Sequence, residues 1–77
     1  MNGISASEVQ PRAQKALTAS PVFALRELQV ESQDNALLLR GAVTSFYHKQ
    51  LAQEAVRAVA EGVAVVNSID VRDALDL

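Results

Sequence analysis

His48 is the only histidine in the sequence, and it follows directly on two of the three aromatic residues, Phe46 and Tyr47. A histidine at the start of a helix could serve as a base, a metal ligand or a pH sensor. A metal site needs roughly three or four ligands. With no Cys and no second His, these would have to come from scattered carboxylates. Ser and Thr residues lack the His and acid partners that nucleophilic catalysis needs. Asp70, Arg72 and Asp73 gather charge near the C-terminal end, but solvated charges explain such a cluster as well as acid–base work does. Three isolated glycines do not make a phosphate-cradling loop. The residue inventory therefore points to no reaction. No catalytic residue, metal, cofactor or small-molecule substrate is expected.

The aromatics suggest a different use. Neighbouring helical residues point about 100° apart, so of Phe46 and Tyr47 one should plug the core and the other, Tyr47, should be exposed. With Lys49 they form a candidate membrane or partner contact, since exposed aromatics often act as anchors.

Bulk properties narrow the partners. Seventy-seven residues make one domain near the lower size limit for a self-sufficient core. Aromatics are 4% against an apolar fraction of 49%, so the core must be aliphatic. The net charge is -2 and the basic residues are scattered, which argues against nucleic acid. No apolar run reaches the roughly 20 residues of a spanning helix. Positions 1–20 lack the charged start and apolar stretch of a secretory signal. This reads as a cytoplasmic location unless the chain was excised from a longer envelope protein.

The elements that must hold these residues follow from periodicity. Positions 1–6 read as a flexible N-terminus, 7–72 as one domain and 73–77 as a short acidic tail. Ser7 and Gln10 have capping-box spacing, and Val9, Ala13, Ala16 and Leu17 fall on one helical face ending at Ser20-Pro21. Leu25 to Ser32 and Ala36 to Val43 read as strands joined at Asp34-Asn35, an antiparallel hairpin. Thr44 or Ser45 can cap a second helix with Leu51, Ala52, Ala55, Val56 and Val59 on its apolar face and Gly62 ending it. Val63 to Val71 alternates as a closing strand.

The order α-β-β-α-β predicts an α+β fold. A three-stranded mixed sheet, with the Leu37–Val43 strand central, should be covered on one face by both helices. Gly41 inside a strand implies that something presses on it, a helix or a bulge before a ligand. The uncovered face should carry Leu38, Arg40, Ala42 and Val66, a candidate interaction face for a protein partner or weak homo-oligomer.

Three stretches taken together resemble the BON domain, a bacterial osmotic-stress and nodulation module. They are Leu37-Leu38-Leu39-Arg40-Gly41-Ala42-Val43-Thr44-Ser45, the Ala-rich helix Gln50 to Ala60, and Gly62-Val63 followed by Val65, Asn67, Ile69 and Val71. The chain departs from the family pattern at two points. Gly62-Val63 and Asn67 stand one residue closer than is usual, and the hairpin turn has Asn35 where the family often has Gly. The resemblance implies structural roles for Gly41, Gly62 and Asn67. It also implies a binding role without catalysis, at a phospholipid surface or cell-envelope component. The alternative is a protein-interaction or oligomerisation module acting through Leu38 and Val66.

Overall fold

Helix α1 spans Ala6–Thr18 in the computed structural model of the chain, which describes residues 3–72. The capping box is built by Ser5 and Glu8 rather than by Ser7 and Gln10. Ser5 Oγ accepts from the Glu8 N–H at 3.3 Å, and the Glu8 carboxylate accepts from the Ser5 N–H at 3.1 Å. Both pairs have the required spacing. Burial decides between them: the earlier start brings Ala6 into the same stripe as Val9, Ala13 and Leu17. Pro11 consequently lies inside the helix, where its missing N–H removes one helical bond.

The Ser5 hydrogen bonds, backbone first and side chain second, hold the Glu8 carboxyl below its ordinary pKa. A depressed folded-state pKa adds stability that is present at neutral pH and lost as pH falls through that pKa. Glu8→Gln should therefore lower the urea midpoint near neutrality and leave it unchanged at pH values below the carboxylate range, which flattens the acid limb of a plot of midpoint against pH.

The strand predicted from Leu25 starts later. Phe23–Leu25 is a short 3-10 helix, closed by Leu25 N–H to Val22 O at 3.0 Å and Arg26 N–H to Phe23 O at 3.1 Å. Leu25 and Leu28 are both buried. Their spacing of three is the period of a tight helical turn, not of a strand.

Strand β1 (Gln29–Gln33) pairs antiparallel with β2 (Ala36–Arg40), and β2 pairs parallel with β4 (Ala64–Asn67), so β2 is central as expected. Asp34 alone takes positive φ (56°) in the hairpin turn. Two short strands, β3 (Ala42–Val43) and β5 (Asp70–Val71), carry the β2–β4 pairing onward in the same relative register. The N–H groups of Ser68, Asp70 and Arg72 donate to the carbonyls of Leu39, Gly41 and Val43 at 3.0, 2.9 and 2.8 Å. The single closing strand read from the sequence is thus interrupted at 68–69. There Asn67 Oδ1 accepts from the Ile69 N–H at 3.2 Å.

Helix α2 spans Phe46–Arg57 with Ser45 as its cap. It ends short of Gly62. Tighter bonds from Val59 N–H to Val56 O and from Ala60 N–H to Arg57 O close it, and Glu61 and Gly62, both at positive φ, reverse the chain. Both helices lie on one face of the sheet. Val9, Ala13 and Leu17 of α1 and Ala52 and Val56 of α2 pack with Val30, Leu37 and Leu39. The core cluster is wholly aliphatic.

The element pressing on Gly41 is the Leu28 side chain rather than a helix. A Cβ added there would stand 2.7 Å from Leu28 Cδ2, and the residue sits at φ +130°. The path of the chain into β1 crosses directly over the break between β2 and β3.

Candidate functional site

The hydrogen bonds of α1 fix which groups share an end of the molecule. Gln10 Nε2 donates to Val30 O at 2.6 Å, and Gln14 Nε2 to Leu28 O at 3.0 Å. Helix α1 therefore runs antiparallel to β1, and its C-terminus lies where β1 begins. Gln29 at that point opposes Arg40 at the end of β2. Beyond Arg40 come β3 and the first turn of α2, and the Phe23–Leu25 turn packs against α2. The N-terminal turn of α2 and the Phe23 turn thus lie toward the same end of the domain.

All three aromatic residues of the chain lie there and all three face solvent. Phe23 is 77% exposed, Phe46 75% and Tyr47 68%. The expectation that one of Phe46 and Tyr47 would plug the core is corrected. They are the first two residues of α2, and the apolar stripe that meets the sheet starts further along, with Leu51 and Ala52. Phe23 and its neighbour Arg26 were missed in the sequence because the segment reads as a strand entry. The signal was available in the scarcity of aromatics. Arg26 stacks on the Phe23 ring at 5.4 Å from its centroid and donates from Nε to Ser20 O at 2.8 Å, so both rotamers are held. Lys49 is half-buried on the same helical turn and makes no ion pair among the described residues.

His48 sits between these groups. Its Nδ1 lies 3.0 Å from Ser45 Oγ, which also accepts from the His48 N–H at 3.1 Å. The Ser–His contact is one the sequence reading did not anticipate. It is a helix cap: Ser45 Oγ is engaged by the backbone. None of the hydrogen bonds or ion pairs among the described residues joins a carboxylate to the ring. No cluster of three or more metal-ligating side chains occurs among the described residues. Asp70 and Arg72 are exposed at 3.9 Å from each other; Asp73 and the acidic tail at 73–77 lie outside the described residues.

Asn67 fastens the sheet to α2. Its Nδ2 donates to Lys49 O at 3.0 Å and to Gln53 Oε1 at 3.2 Å. It thereby ties the end of β4 to the helical turn that carries Lys49. Gly62 lies at the opposite end, beside residues 3–6 and Asn35, in a shallow depression.

The sheet face away from the helices carries Leu38, Arg40, Ala42 and Val66. Leu38 opposes Glu31 on one side and Val66 on the other. Val66 is 48% exposed. Arg40 pairs with Glu31 at 3.3 Å, and Ala42 opposes Asp70. The apolar part of this face is a two-residue stripe bordered by charge.

The α-β-β-α-β order, the glycine break after β2 and the asparagine tie from β4 to α2 coincide with the three stretches that suggested a family. The BON domain family model matches residues 5–73, nearly the whole chain. The chain belongs to the BON domain family. This family consists of binding modules associated with phospholipid rather than enzymes. No curated protein matches the sequence. Among the described residues of this BON domain, no helix is long and apolar enough to cross a membrane.

Proposed function

We propose that this BON domain attaches to a phospholipid membrane surface or cell-envelope component through its aromatic end. One observation carries the reading: the chain has three aromatic side chains, and all of them are exposed at the end formed by the Phe23 turn and the start of α2. Large apolar side chains left in water forgo about 1.5–3 kcal/mol each of burial free energy. Aromatic rings are favoured at the headgroup level of a bilayer. Arg26 and Lys49 flank the rings and suit lipid phosphates. With a net charge of -2, long-range attraction to an anionic surface is weak, so ring insertion must dominate and salt should matter little.

Tyr47 is the only tyrosine and there is no tryptophan, so intrinsic fluorescence reports on this site alone. Titration with vesicles of mixed zwitterionic and anionic phospholipid should change Tyr47 emission saturably. Phe23→Ala with Phe46→Ala should weaken partitioning roughly 100-fold, about tenfold per ring. Leu38→Glu, on the open sheet face, should leave it unchanged. Unaltered Tyr47 emission at all lipid concentrations, or equal binding by the double variant, would overturn the proposal.

The alternative, a protein-interaction or oligomerisation module, is favoured by the stripe of half-buried Leu38 and exposed Val66. The strand edge beside Val66 gives that stripe a definite geometry.

A further inference from the structure

The two edges of the sheet are treated differently. Residues of β1 alternate, and Leu28 and Val30 turn their backbone groups away from β2. Side chains of α1 occupy those outward groups. Gln14 Oε1 accepts from the Val30 N–H at 2.9 Å, Gln10 Nε2 donates to Val30 O, and Gln14 Nε2 donates to Leu28 O. As far as Val30 this edge is protected and cannot readily template another strand; Ser32, the other outward residue of β1, has no such cover among the described residues.

The β4 edge has no such cover. Ser68, Asp70 and Arg72 direct their N–H groups toward β2 and β3, so by alternation the odd residues of β4 face outward. Two of the outward N–H groups along this edge are already used. Val63 N–H donates to Ala60 O at 2.9 Å, and Ile69 N–H donates to Asn67 Oδ1 at 3.2 Å. Between them, the N–H and C=O groups of Val65 and Asn67 make no hydrogen bond among the described residues. The open window is two outward residues placed symmetrically about Val66. No charged residue or proline lies between Gly62 and Asp70.

We infer that this edge pairs with the same edge of a second copy, antiparallel about a two-fold axis through Val66. That centring satisfies all four open groups of the Val65–Asn67 window. Val65 of each copy exchanges two hydrogen bonds with Asn67 of the other, which gives four in all, and the blocked Val63 and Ile69 N–H groups fall opposite each other. Val66 meets Val66 as a non-hydrogen-bonded pair, whose Cα atoms lie about 4.5 Å apart. On the open face the stripe becomes Leu38–Val66–Val66–Leu38, with Glu31 at both ends, so no like charges meet at its centre. The contact is small, well below the roughly 1,200 Å² of stable complexes. A dissociation constant of about 0.1–1 mM is expected. Because the pairing is antiparallel, the two aromatic ends lie at opposite ends of the dimer.

The chain has no cysteine, so an introduced one reports only on its own position. Val66→Cys should form a disulfide-linked dimer under mild oxidation at least tenfold faster than Ala64→Cys, because the two-fold pairs 64 with 68 and not with itself. The Cα separation at 66 is within disulfide range. Sedimentation equilibrium of the unmodified chain should show concentration-dependent mass up to about 1 mM, and Val66→Lys should abolish it while leaving the far-ultraviolet circular dichroism intact. Equal cross-linking at 64 and 66, or a monomer at every concentration, overturns the inference. Vesicle binding by the monomeric Val66→Lys variant keeps this outcome separate from that of the aromatic end.

Discussion

Gly41→Ala is expected to destabilise the domain by about 3 kcal/mol and to lower its melting temperature by roughly 12–24 °C. Two independent costs add. The residue sits at φ +130°, a region that residues with a Cβ rarely enter, at a cost on the order of 1–3 kcal/mol. The new Cβ would also stand 2.7 Å from Leu28 Cδ2. Leu28 is buried and packed in the core, so it has little room to yield. A chain of this length has a total stability of about 4–12 kcal/mol, so the variant would retain only a margin. The two costs can be separated by adding Leu28→Ala. The double variant should be less destabilised than the sum of the single variants by about 1 kcal/mol, since the clash is removed while the φ strain remains. Strict additivity would mean that the contact with Leu28 contributes nothing, and that conformation alone excludes a side chain at 41.

The same position shows what the sequence could and could not reveal. A glycine inside an apolar strand announces a close approach, and that much was legible. Its partner was not, because Leu28 belongs to a segment whose period looked like a strand and is a turn. Helix α2 was readable since five apolar residues repeat at helical spacing, and its end was misplaced only because a tightened last turn carries no residue signature of its own. The cap of α1 could not be chosen from spacing, as Ser5–Glu8 and Ser7–Gln10 both satisfy it; burial of Ala6 decides. The central position of β2 followed from one hairpin and one helical crossover. The candidate site was half legible. Phe46 and Tyr47 stand together in the sequence, whereas Phe23 joins them only through the fold, by the antiparallel course of α1 and β1. The open window at Val65 and Asn67 depends on hydrogen-bond parity across three strands, which no local pattern encodes.

A core built without aromatics makes a contrasting pair of substitutions decisive. Leu39 is fully buried in the central strand, with Val30 and Asn67 as its cross-strand neighbours. Leu39→Ala should cost about 3 kcal/mol, the transfer free energy of the lost methyl groups plus that of an unfilled cavity. At a urea m-value of about 1 kcal/mol/M for a domain this small, the midpoint should fall by roughly 3 M. Phe46→Ala removes a larger side chain and should move the midpoint by no more than about 0.5 M, because Phe46 is 75% exposed and surface changes seldom exceed about 0.5 kcal/mol. The order of these effects is the reverse of what side-chain size predicts. Aromatic rings ordinarily contribute the most to a small core, since each can bury some 150–250 Å², and this chain places none of them there. If Phe46→Ala lowers the midpoint by 1 M or more, the ring is part of the packing and the aromatic end loses its claim to be a contact surface. If it does not, these exposed rings gain nothing from folding, and their exposure is left to be explained by what they touch outside the molecule.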